Sequence, residues 1–221
     1  MQHDLFNSSI ISTADLFEAS LTENIKNDLL RINDLNYVPC FISKPEQDAL
    51  WSAINQQPWL GDIKRRVQHY GWKYDYKARN IDYSMYLGEL PDWAKNIAKR
   101  LHKDGYITEE PDQLIVNEYQ PGQGIANHID CEPCFTNVVI SISLGSPIVM
   151  DFIHKRSREK IAVLLEPGSL VVVADESRYQ WTHGIAARKK DEFHGRKFDR
   201  RLRISLTFRK VIVDGCEIPK R

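Results

Sequence analysis

The chain has 221 residues with 30 Lys and Arg against 30 Asp and Glu, so its formal charge is zero and bulk charge singles out no partner. Its 42% hydrophobic content is ordinary for one folded domain with an N-terminal extension. No stretch approaches the roughly 18 apolar residues of a membrane span. The polar, acidic start lacks the apolar core of a secretion signal, so a cytoplasmic protein with reduced thiols and no membrane partner is expected.

Charge is unevenly placed. Residues 186–221 hold 12 Lys and Arg against 5 Asp and Glu, and residues 1–60 hold 3 against 8. A basic C-terminal third attracts phosphates or simply faces solvent.

In chain order, a helical pattern runs from Leu21 to Leu35, with Ile25, Leu29, Leu30 and Ile32 apolar. Residues 1–36 are expected to form an extension, 37–214 the main domain and 215–221 a tail. A short strand follows at Tyr37–Ile42. Ser43 then caps a helix through about Gln56, with Pro45 in its first turn, Glu46 at the capping-box position and Ala49, Leu50, Ala53 and Ile54 on its apolar face.

From Lys64 to Tyr86 the composition turns aromatic and basic. Tyr70, Trp72, Tyr74 and Tyr76 alternate, which predicts one shared face of an extended hairpin. Rings beside cations suit an unstacked base beside its phosphates, although rings at this spacing also pack cores. Pro91 to Lys103 reads as a second amphipathic helix, with Trp93, Ile97, Ala98 and Leu101 on one face, ended by Gly105.

Thereafter the reading is β. Strands are predicted at Leu114–Tyr119, Val138–Ser143, Ile148–His154, Lys160–Leu165, Ser169–Ala174, His183–Ala187 and Leu202–Val211. Pro121-Gly122, Gly145-Ser146-Pro147 and Pro167-Gly168 mark turns. Many short strands with turn signals predict a mainly β (α+β) jelly roll flanked by N-terminal helices.

His128-Ile129-Asp130 places an imidazole and a carboxylate two residues apart, hence on one face of an extended segment. Alone this is weak. His183 offers a third ligand, and two His with one carboxylate form the facial triad of non-haem Fe(II) oxygenases, with open positions for a 2-oxo acid and O2. Arg203 and Arg209 lie six apart, so a strand turns both inward. Buried guanidiniums need counter-charge, which a dicarboxylate supplies. Cys131 and Cys134 follow the iron pair. One such pair cannot close a four-coordinate zinc site, so they are expected to be small residues rather than a zinc site or a disulfide.

The order Asn117-x-Tyr119, Pro121-Gly122, His128-x-Asp130, Ser141-x-Ser143-Leu144-Gly145, Ser177-Arg178, His183-Gly184-Ile185 and Arg203 to Arg209 resembles the AlkB family of Fe(II)- and 2-oxoglutarate-dependent dioxygenases, over roughly Tyr37 to Val211. Four further segments are similar to the family's oxygenase domain that hydroxylates modified wobble uridine in tRNA. They are Arg65–Gly71, Gly105–Ile107 with Pro111–Gln113, Ile148–Phe152 and Glu176–Ile185. The resemblance implies a double-stranded β-helix with a nucleotide-recognition lid. It implies His128, Asp130 and His183 as iron ligands. Arg203, with Asn117 and Tyr119, would bind 2-oxoglutarate, and Arg209 would sit at the metal end. It also points to Arg66, Trp72 and Tyr76 in the lid and to Glu132 near a flipped base, with Arg178 shaping the site beside the distal histidine. The implied substrate is a modified or alkylated base in tRNA or single-stranded DNA or RNA, with succinate and CO2 released. Oxidation at an N-attached carbon dealkylates the base, whereas oxidation at a C-attached carbon leaves an alcohol. The same chemistry on a protein side chain or small molecule is the alternative, and a non-catalytic module is disfavoured by the intact ligands.

Overall fold

A computed structural model describes residues 25–61 and 64–213. Twelve strands are named: β1 (Leu35–Val38), β2 (Val67–Tyr70), β3 (Gln113–Tyr119), β4 (Ile125–His128), β5 (Phe135–Gly145), β6 (Ile148–His154), β7 (Lys160–Leu165), β8 (Leu170–Ala174), β9 (Trp181–Ile185), β10 (Lys190–Phe193), β11 (Arg196–Asp199) and β12 (Arg203–Val211). Three helices matter to the site: α1 (Lys44–Asn55), α2 (Asp92–Lys103) and the short α3 (Asp175–Tyr179).

A six-stranded sheet in the order β1-β8-β5-β12-β3-β2 faces a four-stranded sheet in the order β4-β9-β6-β7. Every pairing in both sheets is antiparallel. This is the jelly roll expected from the strand pattern.

The period of two in β12 shows how sequence sets the layers. Ile204, Leu206 and Phe208 join the core that α1 and α2 cover, together with Leu50, Ile54, Ile97 and Leu101. Their neighbours Arg203, Ser205, Thr207 and Arg209 point the other way, into a cavity between the sheets. Each buried aliphatic or aromatic side chain is worth about 1.5–3 kcal/mol. A one-residue slip would put three of them in the cavity and both arginines against the helices, so the hydrophobic pattern also fixes the site. A second core, including Ile148, Phe152, Val171, Trp181 and Ile185, closes the far end of the sandwich.

Local signals explain the helices. In α1 the Ser43 backbone N–H donates to Glu46 Oε2 at 2.8 Å, completing the expected capping box. In α2 the residues Ala94, Ile97, Ala98 and Leu101 are buried. Of the helix predicted over Leu21–Leu35, residues 21–24 lie outside the described residues and 25–30 are helical. Asp34, at φ 60, then turns the chain so that Leu35 begins β1. Ile32 and Leu35 pack into the second core.

Two further segments depart from expectation. The Lys64–Tyr86 stretch is a strand only from Val67 to Tyr70, because Gly71 at φ 75 interrupts the alternation. Beyond it, isolated bridges join Trp72 to Tyr86 and Asp75 to Asn80. Tyr70 therefore packs against Trp93, and Trp72 against Tyr83 and Tyr86, while Tyr74 and Tyr76 reach the cavity. The hairpin of β10 and β11 lies in a charged stretch whose sequence carries no alternating apolar signal. Its turn residues His194 (φ 46) and Gly195 (φ 80) both adopt positive φ, the conformation a two-residue hairpin turn requires. No helix among the described residues is long and apolar enough to cross a membrane.

Candidate active site

Strand pairing brings the two histidines together. His128 on β4 lies opposite His183 on β9, with ring centroids 4.6 Å apart. The close approach of these strands depends on Gly184, where a Cβ would lie 2.8 Å from the Asn127 backbone nitrogen and 2.9 Å from its Cα. His128 Nδ1 is 2.9 Å from the Ala126 carbonyl oxygen, which can only accept. In the neutral ring Nδ1 therefore carries the hydrogen and Nε2 keeps its lone pair.

Asp130 arrives differently from the expected strand face. β4 ends at His128, and Asp130 sits two residues beyond it in a loop held by two arginines. Arg178, buried on α3, donates to the carbonyl oxygens of Asp130 at 3.2 Å, Cys131 at 3.3 Å and Thr136 at 3.3 Å. Arg209 donates to Asp130 Oδ1 at 2.6 Å. Asp130 Oδ2 is 3.4 Å from His183 Nε2, and one ligand atom from each of His128, Asp130 and His183 lies within 4.8 Å of the others.

Electrostatics suit this trio to a cation. Burial pushes the Asp130 carboxyl up, but Arg209, His183, His128 and Arg178 outweigh it and hold the group well below the usual carboxylate range. Burial, and then the neighbouring His128, pushes the His183 imidazole down to about 4 against the pull of Asp130. At neutral pH the carboxylate is ionised and the His183 imidazole neutral, with a lone pair to offer. Two imidazoles and one carboxylate fit Fe(II).

The other end of the cavity fits a carboxylate. Arg203 is 1% exposed, donates through NH2 to Ser143 Oγ at 2.8 Å, and has no hydrogen-bond partner for Nε or NH1 among the described residues. Burial pulls its guanidinium down to about 10. A buried cation with two unfilled donors is costly unless an anion completes it. Asn117 and Tyr119 line the cavity beside it, and the Arg203 guanidinium lies 5.3 Å from the Tyr119 ring centre. Tyr76 also lines the cavity, with a hydroxyl that has no hydrogen-bond partner among the described residues.

One cavity of about 470 Å³ thus gathers His128, Asp130, His183, Asn117, Tyr119, Arg203, Arg209 and Tyr76. It omits four other residues singled out from the sequence. Trp72 is 2% exposed among Tyr83 and Tyr86, because the turn at Gly71 points it into a core. Arg66 is tied by a bidentate bridge to Glu118, at 2.8 and 2.6 Å, and its guanidinium lies over Trp59. Glu132 is exposed outside the cavity lining. Arg178 lies behind the metal-side loop, as a support for its backbone.

Lys64, Arg65, Tyr74 and Arg79 also line the cavity, beyond the site residues expected from the sequence. For Arg65 the parity of adjacent arginines was the available signal: where Arg66 turns outward, Arg65 turns inward. Cys131 and Cys134, expected to be reduced, are joined in a disulfide with Cα atoms 5.3 Å apart. A tight turn, with the Cys134 N–H donating to the Cys131 carbonyl at 3.3 Å, brings the two side chains together.

Comparison with known proteins agrees with this geometry. Residues 36–209 match the family model described as 2OG-Fe(II) oxygenase superfamily. The chain is 35% identical over 196 residues to uncharacterized protein L905 of Acanthamoeba polyphaga mimivirus, covering 86% of this chain and 93% of that one. It is 40% identical over 194 residues to the mouse tRNA (carboxymethyluridine(34)-5-O)-methyltransferase ALKBH8, covering 77% of this chain but only 29% of the mouse protein. The solved structure of OsALKBH1 superposes with a TM-score of 0.60 at 17% identity, over 80% of this chain and 97% of that one, and so shares the fold. The chain belongs to the 2OG-Fe(II) oxygenase superfamily, in its AlkB branch, and is a dioxygenase that uses Fe(II), 2-oxoglutarate and O2.

Proposed function

We propose that the chain oxidises a modified base in tRNA, by hydroxylation of the wobble-uridine type, with N-alkyl demethylation as the related outcome on a different base. One observation carries the reading: Tyr74 and Tyr76, with Lys64 and Arg79, line the same cavity as His128, Asp130 and His183. Aromatic faces stack an unpaired base in any sequence, and flanking cations meet its phosphates. The similarity to ALKBH8, a protein named for action on carboxymethyluridine, supports tRNA as the polymer.

In this reading His128, Asp130 and His183 hold the metal. Arg203 pairs with the far carboxylate of 2-oxoglutarate, and Asn117 and Tyr119 hydrogen-bond the same molecule. Bound Fe(II), with 2-oxoglutarate and O2, supplies oxidation of a C–H bond, with succinate and CO2 as co-products. The protein's part is position and shielding. Arg178 and Arg209 keep the Asp130 carboxylate ionised and aimed. Tyr74 and Tyr76 meet edge-on at 5.1 Å and form a wall against which a base can lie. The buried Tyr76 hydroxyl has no hydrogen-bond partner among the described residues, and in this reading the base supplies one. Burial raises its pKa, so it stays protonated and able to donate.

The test is incubation with Fe(II), 2-oxoglutarate, O2 and tRNA carrying modified wobble uridines, followed by nucleoside mass spectrometry. Gain of one oxygen on a wobble uridine is expected. Loss of a methylene from another base would move the assignment to demethylation. Unchanged tRNA and DNA, with turnover on a peptide or small molecule, would overturn it.

A further inference from the structure

The segment 64–66 lies along β3, with the Glu118 N–H donating to the Arg66 carbonyl at 3.0 Å. Its two arginines leave opposite faces. Arg66 turns outward to Glu118, while Arg65 turns inward and donates from Nε to Asn117 Oδ1 at 2.8 Å. The Arg65 guanidinium lies 5.5 Å from the Tyr119 ring centre, and Arg203 approaches the same ring at 5.3 Å. Tyr119 is therefore held by two cations, one from the rim and one from the floor.

A guanidinium donates and never accepts. The Asn117 atom that Arg65 meets must be the carbonyl oxygen, and this fixes which way the buried amide faces. Asn117 lines the cavity, so its NH2 group is the part of the amide that remains to donate to a ligand there. For a carboxylate ligand the difference is decisive, because an NH2 donates to it whereas a flipped amide would present a repelling oxygen.

We propose that Arg65 is a positioning residue for the 2-oxo diacid: it acts through Asn117, locking that amide with its donor toward the cavity. The proposal rests on reading Asn117, Tyr119 and Arg203 as the co-substrate pocket. It also links the rim to the floor, because Arg65 adjoins Lys64, whose carbonyl accepts from Gln123 Nε2 at 2.8 Å in the loop between β3 and β4.

The test is a double-mutant cycle on the Fe(II)-loaded enzyme under anaerobic conditions, with 2-oxoglutarate binding followed by calorimetry. Arg65→Ala and Asn117→Ala are each expected to weaken binding by about tenfold, and the double variant by no more than Asn117→Ala alone. In turnover, Arg65→Ala should raise the KM for 2-oxoglutarate while kcat at saturation stays near wild type. Losses that multiply in the double variant would mean that Arg65 acts on the ligand directly, and would overturn the proposal. So would wild-type affinity in Arg65→Ala. Arg203→Met separates the two levels. If it binds 2-oxoglutarate normally, the pocket reading itself fails; if it loses binding while Arg65→Ala does not, only the role of Arg65 fails. Should Arg65→Ala not fold, Arg65→Lys enters the same cycle, since lysine keeps the charge but not the planar fork.

Discussion

The floor and the rim of the cavity are built by different rules. The floor comes from paired strands, where register decides everything: β12 turns Arg203, Ser205, Thr207 and Arg209 inward because Ile204, Leu206 and Phe208 are buried on the other side. The rim comes from residues 64–86, where alternation holds only until Gly71 and each aromatic ring then goes where an irregular chain leads it. The lesson is that a period of two assigns function only inside a hydrogen-bonded ladder, where a packed opposite face enforces it.

Substitutions can break this contrast. The largest effect is expected at Asp130→Ala, which removes the carboxylate of the proposed metal site and the partner of Arg209, so turnover should fall to background by mass spectrometry and Fe(II) binding should be lost in anaerobic dialysis. In the rim, Trp72→Ala should cost about 3–5 kcal/mol in denaturant unfolding, as a buried aromatic does. Tyr74→Ala should instead cost about 1–3 kcal/mol of nucleic-acid binding. A substrate-binding defect in a stably folded Trp72→Ala protein would reverse the assignment of the two rings. Arg203→Met should weaken 2-oxoglutarate binding by about 2–5 kcal/mol. It should also raise the melting temperature without co-substrate, by about 2–4 °C for each kcal/mol gained when the incompletely partnered charge is removed. Opposite signs of these two changes would separate stability from function at one guanidinium, and a lowered melting temperature in Arg203→Met would contradict the expectation that its charge is costly without a ligand.

A smaller effect concerns Tyr70, on the helix-covered side of β2, whose phenol burial pushes up to about 12. An unfolded tyrosine ionises near about 10. The stability this phenol contributes is therefore fully present below that pH and is lost as pH climbs toward the folded value. Tyr70→Phe should flatten the alkaline slope of an unfolding-midpoint titration, and an unchanged slope would place the phenol in solvent.

Much of the floor was legible in the sequence because its cues are local and periodic. Ile148–His154 and Lys160–Leu165 are strands with the expected bounds. Ser43 and Glu46 form the predicted capping box. His128, Asp130, His183, Arg203 and Arg209 share one cavity. What the sequence hid is long-range or conformational. The sequence reading points to Arg66 rather than Arg65, and only the line of the chain along β3 decides which enters the cavity. Trp72 looked like a member of an aromatic face until the positive φ of Gly71 redirected it. The support that Arg178 gives the Asp130 loop crosses 48 residues and depends on α3, a helix too short to show a periodic signal. The disulfide between Cys131 and Cys134 depends on a turn that spacing alone does not specify.

That the rim receives nucleic acid is tested most directly by the salt dependence of binding to a single-stranded anticodon-loop RNA, for the wild type and for Lys64→Gln with Arg79→Gln. The logarithm of the wild-type affinity should fall steeply and linearly with the logarithm of salt concentration, with the slope reduced by about 0.7 for each phosphate contact removed. A flat response in the wild type, or the same slope in the double variant, would contradict it.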